Sequence, residues 1–257
     1  MSELKQILEK YSIHHLRNLS SKLKTIDFHA IRLSKGKLNL PAYFSEYLLV
    51  LLSGEISIQI NRNSFGNLSR KSVFKEPASA LFVPGNIRIE INVKKDSELA
   101  FCLSKNKNKT PVLNPYIIKP KELKARTVGE GNYERQVTDI LSKDHEAEFL
   151  LVGETQSEAN KWSSYPPHKH DVFVTDKETK LEEIYFYKIE KQNRFAIQCI
   201  YTDKTEISYM IHDNDVINIP KGYHPVCSPC DSKLYYLWVL SGSKRLLQYR
   251  SDEKYIE

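Results

Sequence analysis

The sequence predicts an all-β protein with two similar barrel or sandwich domains and a short N-terminal helix. Short apolar runs with alternating polar residues, separated by Pro, Gly and Asn turns, follow one another along most of the chain. The two halves also resemble each other. Residues 80–85 (ALFVPG) and 216–222 (VINIPKG) are both apolar strands that stop at Pro and turn at Gly. A doubled β domain is the simplest interpretation of these observations.

The helix is predicted at the start of the chain, where apolar residues recur at three- and four-residue steps from residue 2 to about residue 24. Ser2 is placed to cap it. Lys5 stands where a capping box would have Glu, so we expect no capping box. The pattern favours a helix that packs on a sheet.

Strand patterns begin after about residue 26. In residues 47–62 (YLLVLLSGEISIQINR), strict alternation places Ile56, Ile58 and Ile60 on one face of a strand. The polar, Lys- and Pro-rich residues 105–126 are interpreted as a link between two β domains. We therefore expect an N-terminal domain over residues 1–115 and a C-terminal domain over residues 116–257.

Composition excludes several classes of protein. The chain has 257 residues, with 38 Lys and Arg against 32 Asp and Glu, and the surplus of +6 is not gathered into one basic block. Nucleic acid is therefore not an expected partner. A hydrophobic fraction of 40% argues against global disorder. The most continuous aliphatic run, residues 48–52, is far shorter than the roughly 20 residues of a spanning helix, so no membrane association is expected. The first residues lack a signal-peptide core, which favours the cytoplasm.

The cysteines do not indicate a disulfide scaffold, because a chain of this length has only Cys102, Cys199, Cys227 and Cys230. Cys227 and Cys230 form a single CxxC, a spacing found in redox pairs and in half of a zinc site. No second CxxC accompanies it and Pro229 lies inside it. An incidental pair is the favoured interpretation.

Three histidines and one glutamate have the order of a metal site. His168 and His170 are two residues apart in WSSYPPHKHD, and on a strand such side chains face the same way. Downstream, LEEIYFY places Glu182 or Glu183 beside them, depending on strand register. His224 follows the Pro/Gly turn of a later strand. Three imidazoles and one carboxylate suit Zn²⁺, Mn²⁺ or Fe²⁺.

An isolated HxH is more often only part of an edge strand. Here, the later glutamate and histidine in the right order, within a doubled β pattern, favour the metal site. The other five histidines have no partner pattern and are interpreted as ordinary surface or core residues: His14, His15, His29, His145 and His212.

The second half closely resembles the 5-deoxyglucuronate isomerases of inositol catabolism, relatives of the 4-deoxy-hexuronate isomerases of pectin breakdown. The first half resembles the family's first domain more loosely, through residues 47–60, 72–84 and 98–102. The resemblance in the second half rests on residues 126–135 (RTVGEGNYER), 162–171 (WSSYPPHKHD), 181–187 (LEEIYFY), 219–226 (IPKGYHPV) and 234–242 (LYYLWVLSG).

The resemblance implies a bicupin fold, with two jelly-roll barrels in one chain and one metal in the C-terminal barrel. The ligands it implies are His168, His170, Glu183 and His224, with Glu183 favoured over Glu182 by the family motif. Zn²⁺ is the first expectation, with Mn²⁺ or Fe²⁺ as alternatives. No metal is expected in the N-terminal domain, to which we assign packing and assembly, and a homo-oligomer is expected.

The implied reaction is an aldose–ketose isomerisation, an intramolecular oxidoreduction that converts 5-deoxy-glucuronate to 5-dehydro-2-deoxy-gluconate. It needs stabilisation of a developing oxyanion, which a divalent ion supplies, and an acid/base group. The substrate carboxylate calls for a cation, and guanidinium binds it bidentately. The substrate-binding candidates are Arg126, Arg135 and Lys169. The acid/base candidates are Glu154, Lys169, Tyr185 and Tyr223, with Tyr185 on the same strand face as Glu183.

Two departures from the family bear on the substrate. Cys199 stands where the family usually has Arg in a Gln-Arg-Val-Tyr segment, and Trp238 stands where a smaller polar residue is usual. The four implied metal ligands are intact. Two other functions therefore remain open, an iron-dependent dioxygenase and a non-catalytic cupin that binds a sugar acid.

Overall fold

The computed structural model describes residues 2–18, 21–107 and 113–256. Within these residues none of the helices is long and apolar enough to cross a membrane. The helix α1 spans Glu3–Lys10, and short 3-10 helices span Pro120–Glu122, Gly131–Tyr133 and Glu253–Tyr255. The strands are β1 (His15–Leu16), β2 (Ile26–Leu33), β3 (Gly36–Leu40), β4 (Tyr47–Ile60), β5 (Asn63–Arg70), β6 (Ser79–Val83), β7 (Ile89–Ser104), β8 (Tyr116–Ile118), β9 (Arg126–Val128), β10 (Arg135–Leu141), β11 (Leu151–Ser157), β12 (Trp162–Ser163), β13 (His168–Lys169), β14 (Leu181–Ile189), β15 (Ala196–Tyr201), β16 (Glu206–Ile211), β17 (Asp215–Ile219), β18 (Val226–Cys227), β19 (Leu234–Gly242) and β20 (Arg250–Ser251).

The N-terminal helix is shorter than predicted. Ser2 caps it as expected, its Oγ accepting a hydrogen bond from the Lys5 amide at 3.4 Å. The helix ends at Lys10, so its predicted extension to about residue 24 is wrong. Ser12 instead bridges Ile31, and β1 pairs with β17 in parallel. Ser12 and the β-branched Ile13 have low helix propensity, and the strand partners take up their backbone groups. Residues 19 and 20 of the predicted helix lie outside the described residues.

Spatial contacts divide the chain into two compact units. The first comprises residues 1–14, 27–124 and 144–150, and the second comprises residues 15–26, 125–143 and 151–257. Short segments are thus grouped with strands that are distant in sequence. The predicted domain limits, 1–115 and 116–257, stay a prediction.

The first unit contains a sheet of order β2-β7-β4-β6-β8, with β3 on β7 and β5 on β4. The long strands β4 and β7 run antiparallel, with Leu49 opposite Phe101. Ile56 and Ile58 are buried in the core, and Ile60 packs against it, as the alternation predicts. The interior of this unit is filled almost entirely by aliphatic side chains and a few aromatic rings.

The predicted link over residues 105–126 is wrong in part. Residues 108–112 lie outside the described residues, but β8 within the segment pairs with β6, Ile118 opposite Ala80. The two β-branched isoleucines of β8 outweigh the neighbouring Lys and Pro residues, which had suggested a link.

The second unit has a seven-stranded sheet of order β1-β17-β14-β19-β11-β10-β9 and a four-stranded sheet of order β12-β18-β15-β16. Strands β14 and β19 are antiparallel, which sets Tyr185 opposite Trp238 and Tyr187 opposite Tyr236. All four rings belong to the core of this unit. In the part of the chain that the structure describes, strands are the predominant element and α1 is a single short α-helix, which confirms the predicted all-β class.

Candidate metal centre

His168 and His170 are held by a short strand. His168 lies in β13 opposite Ser251 of β20, and His170 is the first residue after this strand. Their ring centroids are 6.2 Å apart. The HxH spacing therefore presents both rings to one region, as the sequence predicts.

His224 is positioned by the turn that precedes it. Gly222 has φ of +94°, a left-handed conformation that a side chain would strain, and a Cβ there would lie 2.6 Å from the Tyr201 carbonyl oxygen. The Gly222 carbonyl oxygen lies 2.9 Å from Nδ1 of His224, and its amide donates to Asp171 at 2.9 Å. Asp171 thereby ties the loop of His224 to the segment that contains His170.

Strand register places Glu183, rather than Glu182, beside the imidazoles. Oε2 of Glu183 lies 3.1 Å from Nε2 of His170 and 3.1 Å from Nε2 of His224. Glu182 points away and accepts hydrogen bonds from the amides of Lys24 and Thr25, each at 2.8 Å. Neighbouring residues on a strand face opposite ways, so only one of the two glutamates can reach the histidines.

The donor atoms converge. One ring nitrogen each from His168, His170 and His224 lies within 4.8 Å of the others. Nδ1 of His170 lies 3.1 Å from the Leu181 carbonyl oxygen, and Nδ1 of His224 lies 2.9 Å from the Gly222 carbonyl oxygen. In the tautomer in which each Nδ1 donates to its carbonyl partner, the Nε2 lone pairs face Glu183.

Burial and charge set the protonation of these groups. Burial, with the neighbouring His224 and His170, holds the pKa of His168 well below its ordinary value, so this ring is neutral near pH 7. Burial alone raises the pKa of Glu183, but the adjacent rings of His170 and His224 outweigh it and lower that pKa. The carboxylate is therefore ionised. Burial lowers the pKa of His170, but the contact with Glu183 and the Leu181 carbonyl raise it more.

These residues fit a metal ion. Nε2 of His224 is buried and, within the part of the chain that the structure describes, has no hydrogen-bond partner of suitable geometry. A buried nitrogen lone pair without a partner is costly, and a cation among the donors satisfies it. Neutral imidazoles and an ionised carboxylate are ligands of Zn²⁺, Mn²⁺ and Fe²⁺. The arrangement therefore suits a divalent metal.

A cavity of about 250 Å³ opens beside this cluster, and we call it the metal cavity. His168 and Glu183 lie in its wall. Six aromatic residues and two arginines also line it: Arg126, Tyr133, Arg135, Tyr165, Tyr185, Tyr236, Trp238 and Tyr249. His168, Glu183 and the two guanidinium groups therefore border the same volume.

The two predicted arginines both line the metal cavity. Nη1 of Arg135 donates to the carbonyl oxygens of Tyr133 at 3.0 Å and Tyr165 at 2.9 Å, which fixes the guanidinium plane. Arg126 is exposed and lies 3.5 Å from a carboxylate oxygen of Asp139, a loose contact that is worth little to stability.

Tyr185 lies in the metal cavity and belongs to a chain of hydroxyl groups. Its Oη is 2.9 Å from Ser164 Oγ, and Ser164 Oγ is 3.5 Å from Oη of Tyr236, which also contacts Ser163. Burial, with the charge of Glu183, raises the pKa of Tyr185 far above its usual value, so the phenol keeps its proton.

Sequence reasoning missed Ser164 and Tyr236. Tyr236 is two residues before Trp238 in β19, so the alternation that linked Glu183 to Tyr185 could have placed it in the metal cavity. Ser164 has φ of +51°, a strained conformation for a non-glycine residue. The neighbouring residue types do not predict this conformation.

Three predicted residues lie away from the metal cavity. The Lys169 ammonium contacts Asp171 at 2.6 Å and Glu178 at 3.4 Å. Tyr223 stacks on Tyr201 in a separate groove, with centroids 5.1 Å apart. Glu154 is buried on the other face of β11 from Thr155, a cavity residue, and accepts a hydrogen bond from the Tyr235 hydroxyl at 3.0 Å.

The two departures from the family occupy different places. Trp238 lies in the wall of the metal cavity, across Gly153 of β11, where a Cβ would come within 2.0 Å of the indole. Cys199 lies in the groove that contains Tyr223, so its thiol does not face the metal cavity. All four cysteines are free thiols, Cys227 and Cys230 among them.

Comparison with known proteins identifies the family. The sequence profile of the KduI/IolB family matches residues 3–257, almost the whole chain. The chain belongs to the KduI/IolB family. This confirms the resemblance inferred from the sequence motifs.

Several curated relatives are similar over most of their length. A protein of Geobacillus thermodenitrificans named 5-deoxy-glucuronate isomerase is 36% identical over 88% of this chain and 84% of its own. Proteins with the same name from Halalkalibacterium halodurans and Bacillus subtilis strain 168 are 32% and 30% identical, each over 93% of this chain and 90% of theirs.

Solved structures give the fold. An IolB-like protein from Salmonella typhimurium LT2 superposes with a TM-score of 0.87 at 30% identity, over 95% of this chain and 94% of that one. The oxalate decarboxylase of Lactobacillus farciminis, in a formate complex, gives a TM-score of 0.64 at 13% identity, over 90% and 80%. At that identity the likeness concerns the fold alone. Together the two structures confirm the predicted cupin fold.

Proposed function

We propose that this protein is a metal-dependent sugar-acid isomerase that converts 5-deoxy-glucuronate to 5-dehydro-2-deoxy-gluconate in inositol catabolism. The names of its curated relatives support this reaction. The observation that carries the proposal is the convergence of three histidine rings and Glu183 at a cavity that two arginines also line.

The proposed ligands are His168, His170, Glu183 and His224. Zn²⁺ is the first candidate, with Mn²⁺ or Fe²⁺ as alternatives, because all three accept this donor set. When bound, a divalent ion supplies Lewis-acid stabilisation of the negative charge that develops as a proton leaves the carbon beside a carbonyl.

Arg126 and Arg135 are the proposed partners of the substrate carboxylate. Nη1 of Arg135 is engaged by two carbonyl oxygens, which orients the remaining donors of its fork. Arg126 is held only loosely by Asp139 and can turn toward an anion. A guanidinium binds a carboxylate in a fixed plane, so this pair would set the direction in which the sugar acid lies.

We assign proton delivery to Oη of Tyr185. Because its pKa is raised, the phenol is a proton donor at neutral pH, and the contact with Ser164 Oγ fixes its direction. The hydroxyl groups of Ser164 and Tyr236 form a chain with Tyr185, along which a proton can return to Tyr185 after it has donated one. Lys169, Tyr223 and Glu154 receive no step, because their side chains are engaged elsewhere.

The experiment compares the wild-type protein with His168→Ala, each purified without a histidine tag and incubated with 5-deoxy-glucuronate. Loss of a ligand should lower both metal affinity and the rate of ketose formation by more than 100-fold, since changes behind the ligands already cost roughly 10–100-fold. His15→Ala, an exposed histidine on β1, is the matched control and should retain both.

Absence of conversion by metal-loaded wild-type protein would contradict the proposal. Oxygen uptake with a phenolic or diketone substrate would indicate the dioxygenase alternative. Metal binding without turnover of any uronic acid would indicate the non-catalytic alternative. Cytoplasmic location, homo-oligomer formation and the lack of a metal in the N-terminal domain stay predictions.

A further inference from the structure

A second concavity, which the proposed function does not use, lies against β15 and β16. Its volume is about 740 Å³, against about 250 Å³ for the metal cavity, and it falls within the size range of small-molecule sites. Six aromatic side chains define this aromatic groove: Tyr133, Trp162, Tyr165, Tyr201, Tyr223 and Tyr255.

The rings form one tilted cluster and one stacked platform. Around Tyr165, the ring centroids of Tyr133, Trp162 and Tyr255 lie at 5.6, 6.0 and 6.0 Å. A second pair in the lining, Tyr201 and Tyr223, is stacked with an interplanar angle of 25°. Trp162 is 36% exposed and Tyr255 46% exposed, so part of each residue is accessible to a ligand. Open aromatic faces bind the C–H face of a pyranose ring through dispersion and loss of apolar surface.

The charged groups of the aromatic groove disfavour an anionic ligand. Three carboxylates, Asp203, Glu206 and Asp252, face one ammonium, Lys254, which gives a formal charge of 1 − 3 = −2. Carboxylates accept hydrogen bonds from sugar hydroxyls. The same charges repel the carboxylate of a sugar acid.

One of these carboxylates is already set in place. Oδ2 of Asp252 accepts a hydrogen bond from the Tyr201 hydroxyl at 2.7 Å, and Oδ1 accepts one from the Lys254 amide at 3.2 Å. Asp252 is buried beside the platform of Tyr201 and Tyr223. An aromatic face and an oriented acceptor thus stand next to each other, which is the combination that recognises a hydroxylated ring.

The aromatic groove is separate from the metal cavity but shares a wall with it. Tyr133 and Tyr165 line both, and Nη1 of Arg135 holds both of their carbonyl oxygens. We propose that the aromatic groove is a second binding site, for a neutral carbohydrate ring rather than for the sugar acid that the metal cavity takes.

Tryptophan fluorescence can report on the aromatic groove and the metal cavity separately, because each contains one of the two tryptophans of the chain. Trp162 lies in the aromatic groove and Trp238 in the metal cavity. In Trp238→Phe, fluorescence reports the groove alone. In Trp162→Phe, it reports the metal cavity alone.

The probes are methyl β-D-glucopyranoside and D-glucuronate, which are neutral and anionic pyranoses of similar size. Methyl glucoside should change the fluorescence of Trp238→Phe saturably, and glucuronate should bind there at least ten-fold more weakly. Adding Tyr255→Ala should weaken methyl glucoside binding at least ten-fold, since it removes an open aromatic face. Phe195→Ala, an aromatic residue with similar exposure outside the aromatic groove, is the control and should leave binding unchanged.

Three results would overturn the proposal. These are no saturable change with methyl glucoside, equal affinity for glucuronate, or binding that Tyr255→Ala does not weaken. A Trp162 signal that depends on protein concentration without sugar would also overturn it, because a second copy of the chain would then cover the aromatic groove. Saturation-transfer NMR on wild-type protein and Tyr255→Ala gives the same comparison without altering a tryptophan. Turnover of 5-deoxy-glucuronate is measured separately, so failure here leaves the proposed function standing.

Discussion

The interiors of the two units differ although both are built on a long pair of antiparallel strands. In the first unit, the β4–β7 pair turns mainly aliphatic side chains, such as Leu49 and Leu51, into a hydrophobic core. In the second, the β14–β19 pair turns Tyr185, Tyr236 and Trp238 inward and leaves a cavity. The same strand architecture thus supports either packing or a site, depending on the residues that face inward.

Buried histidines show the same contrast. In the first unit, His29 is buried and neither ring nitrogen has a hydrogen-bond partner among the described residues. In the second, His170 and His224 each have a carbonyl at Nδ1 and Glu183 near Nε2. Burial alone therefore makes a histidine neutral, whereas oriented neighbours make it a candidate ligand.

The largest expected effect separates two adjacent glutamates. Glu183→Gln should lower kcat/KM by more than about 1,000-fold, because it removes a proposed ligand and leaves the imidazoles without their carboxylate. Glu182→Gln should keep the metal and kcat/KM, with only a lower thermal stability from weaker bonds to the Lys24 and Thr25 amides. Equal losses of kcat/KM in the two variants would show that the assignment of Glu183 as the ligand is wrong.

The next effect concerns the filled interior of the first unit. Phe101→Ala should lower the free energy of unfolding by about 3–5 kcal/mol, since it opens a cavity in a fully buried core. Below its unfolding transition the variant should keep the metal and kcat/KM. Urea denaturation and steady-state kinetics measure the two quantities. A large change in the kcat/KM of folded Phe101→Ala would show that the core of the first unit does more than pack.

A smaller effect tests the hydroxyl chain. Tyr185→Phe should keep the metal and lower kcat by about 100-fold, within the range for loss of an acid/base group. Tyr187→Phe is the matched control, because it is equally buried two residues along β14 but bonds to Gln198. Its kcat should stay within a few-fold of wild type. If both tyrosines give the same kcat, proton delivery does not occur at Tyr185.

The smallest effect is a pH dependence in the first unit. Burial lowers the pKa of His29 to about 4, and nearby His14 and Lys5 add to this against the opposing effect of Asp27. Between about pH 6.5 and 4 the unfolded chain binds a proton that the folded chain excludes, so stability falls as pH falls. Relative to pH 7, the loss at pH 4.5 is about 2.5 kcal/mol.

His29→Leu should remove that part of the loss, which urea denaturation at pH 7 and pH 4.5 measures as the difference between variant and wild type. An unchanged difference between the two pH values would show that His29 takes up its proton in the folded chain.

The sequence predicted the fold class, the family and the donor set because these depend on residue spacing and order. Strand alternation was enough to pair Glu183 with Tyr185. Residue spacing left the choice between Glu182 and Glu183 open, and the family resemblance favoured Glu183. The register behind that choice depends on distant segments, the Lys24–Thr25 backbone and β17.

Other features depend on contacts that spacing does not encode. Lys169 stands between two histidines, yet Asp171 and Glu178 hold its ammonium. Tyr223 is next to His224, but alternation turns it toward the aromatic groove. The helix ends early because Ser12 forms an antiparallel β-bridge with Ile31, which is distant in sequence.

The central claim is that one divalent ion binds His168, His170, Glu183 and His224, and the metal content of untagged protein tests it most directly. Wild-type protein supplied with Zn²⁺, Mn²⁺ or Fe²⁺ and then dialysed should hold about one ion per chain for at least one of these metals, and His224→Ala should hold almost none. Wild-type protein that retains none of the three, or His224→Ala that retains a full equivalent, would contradict the account.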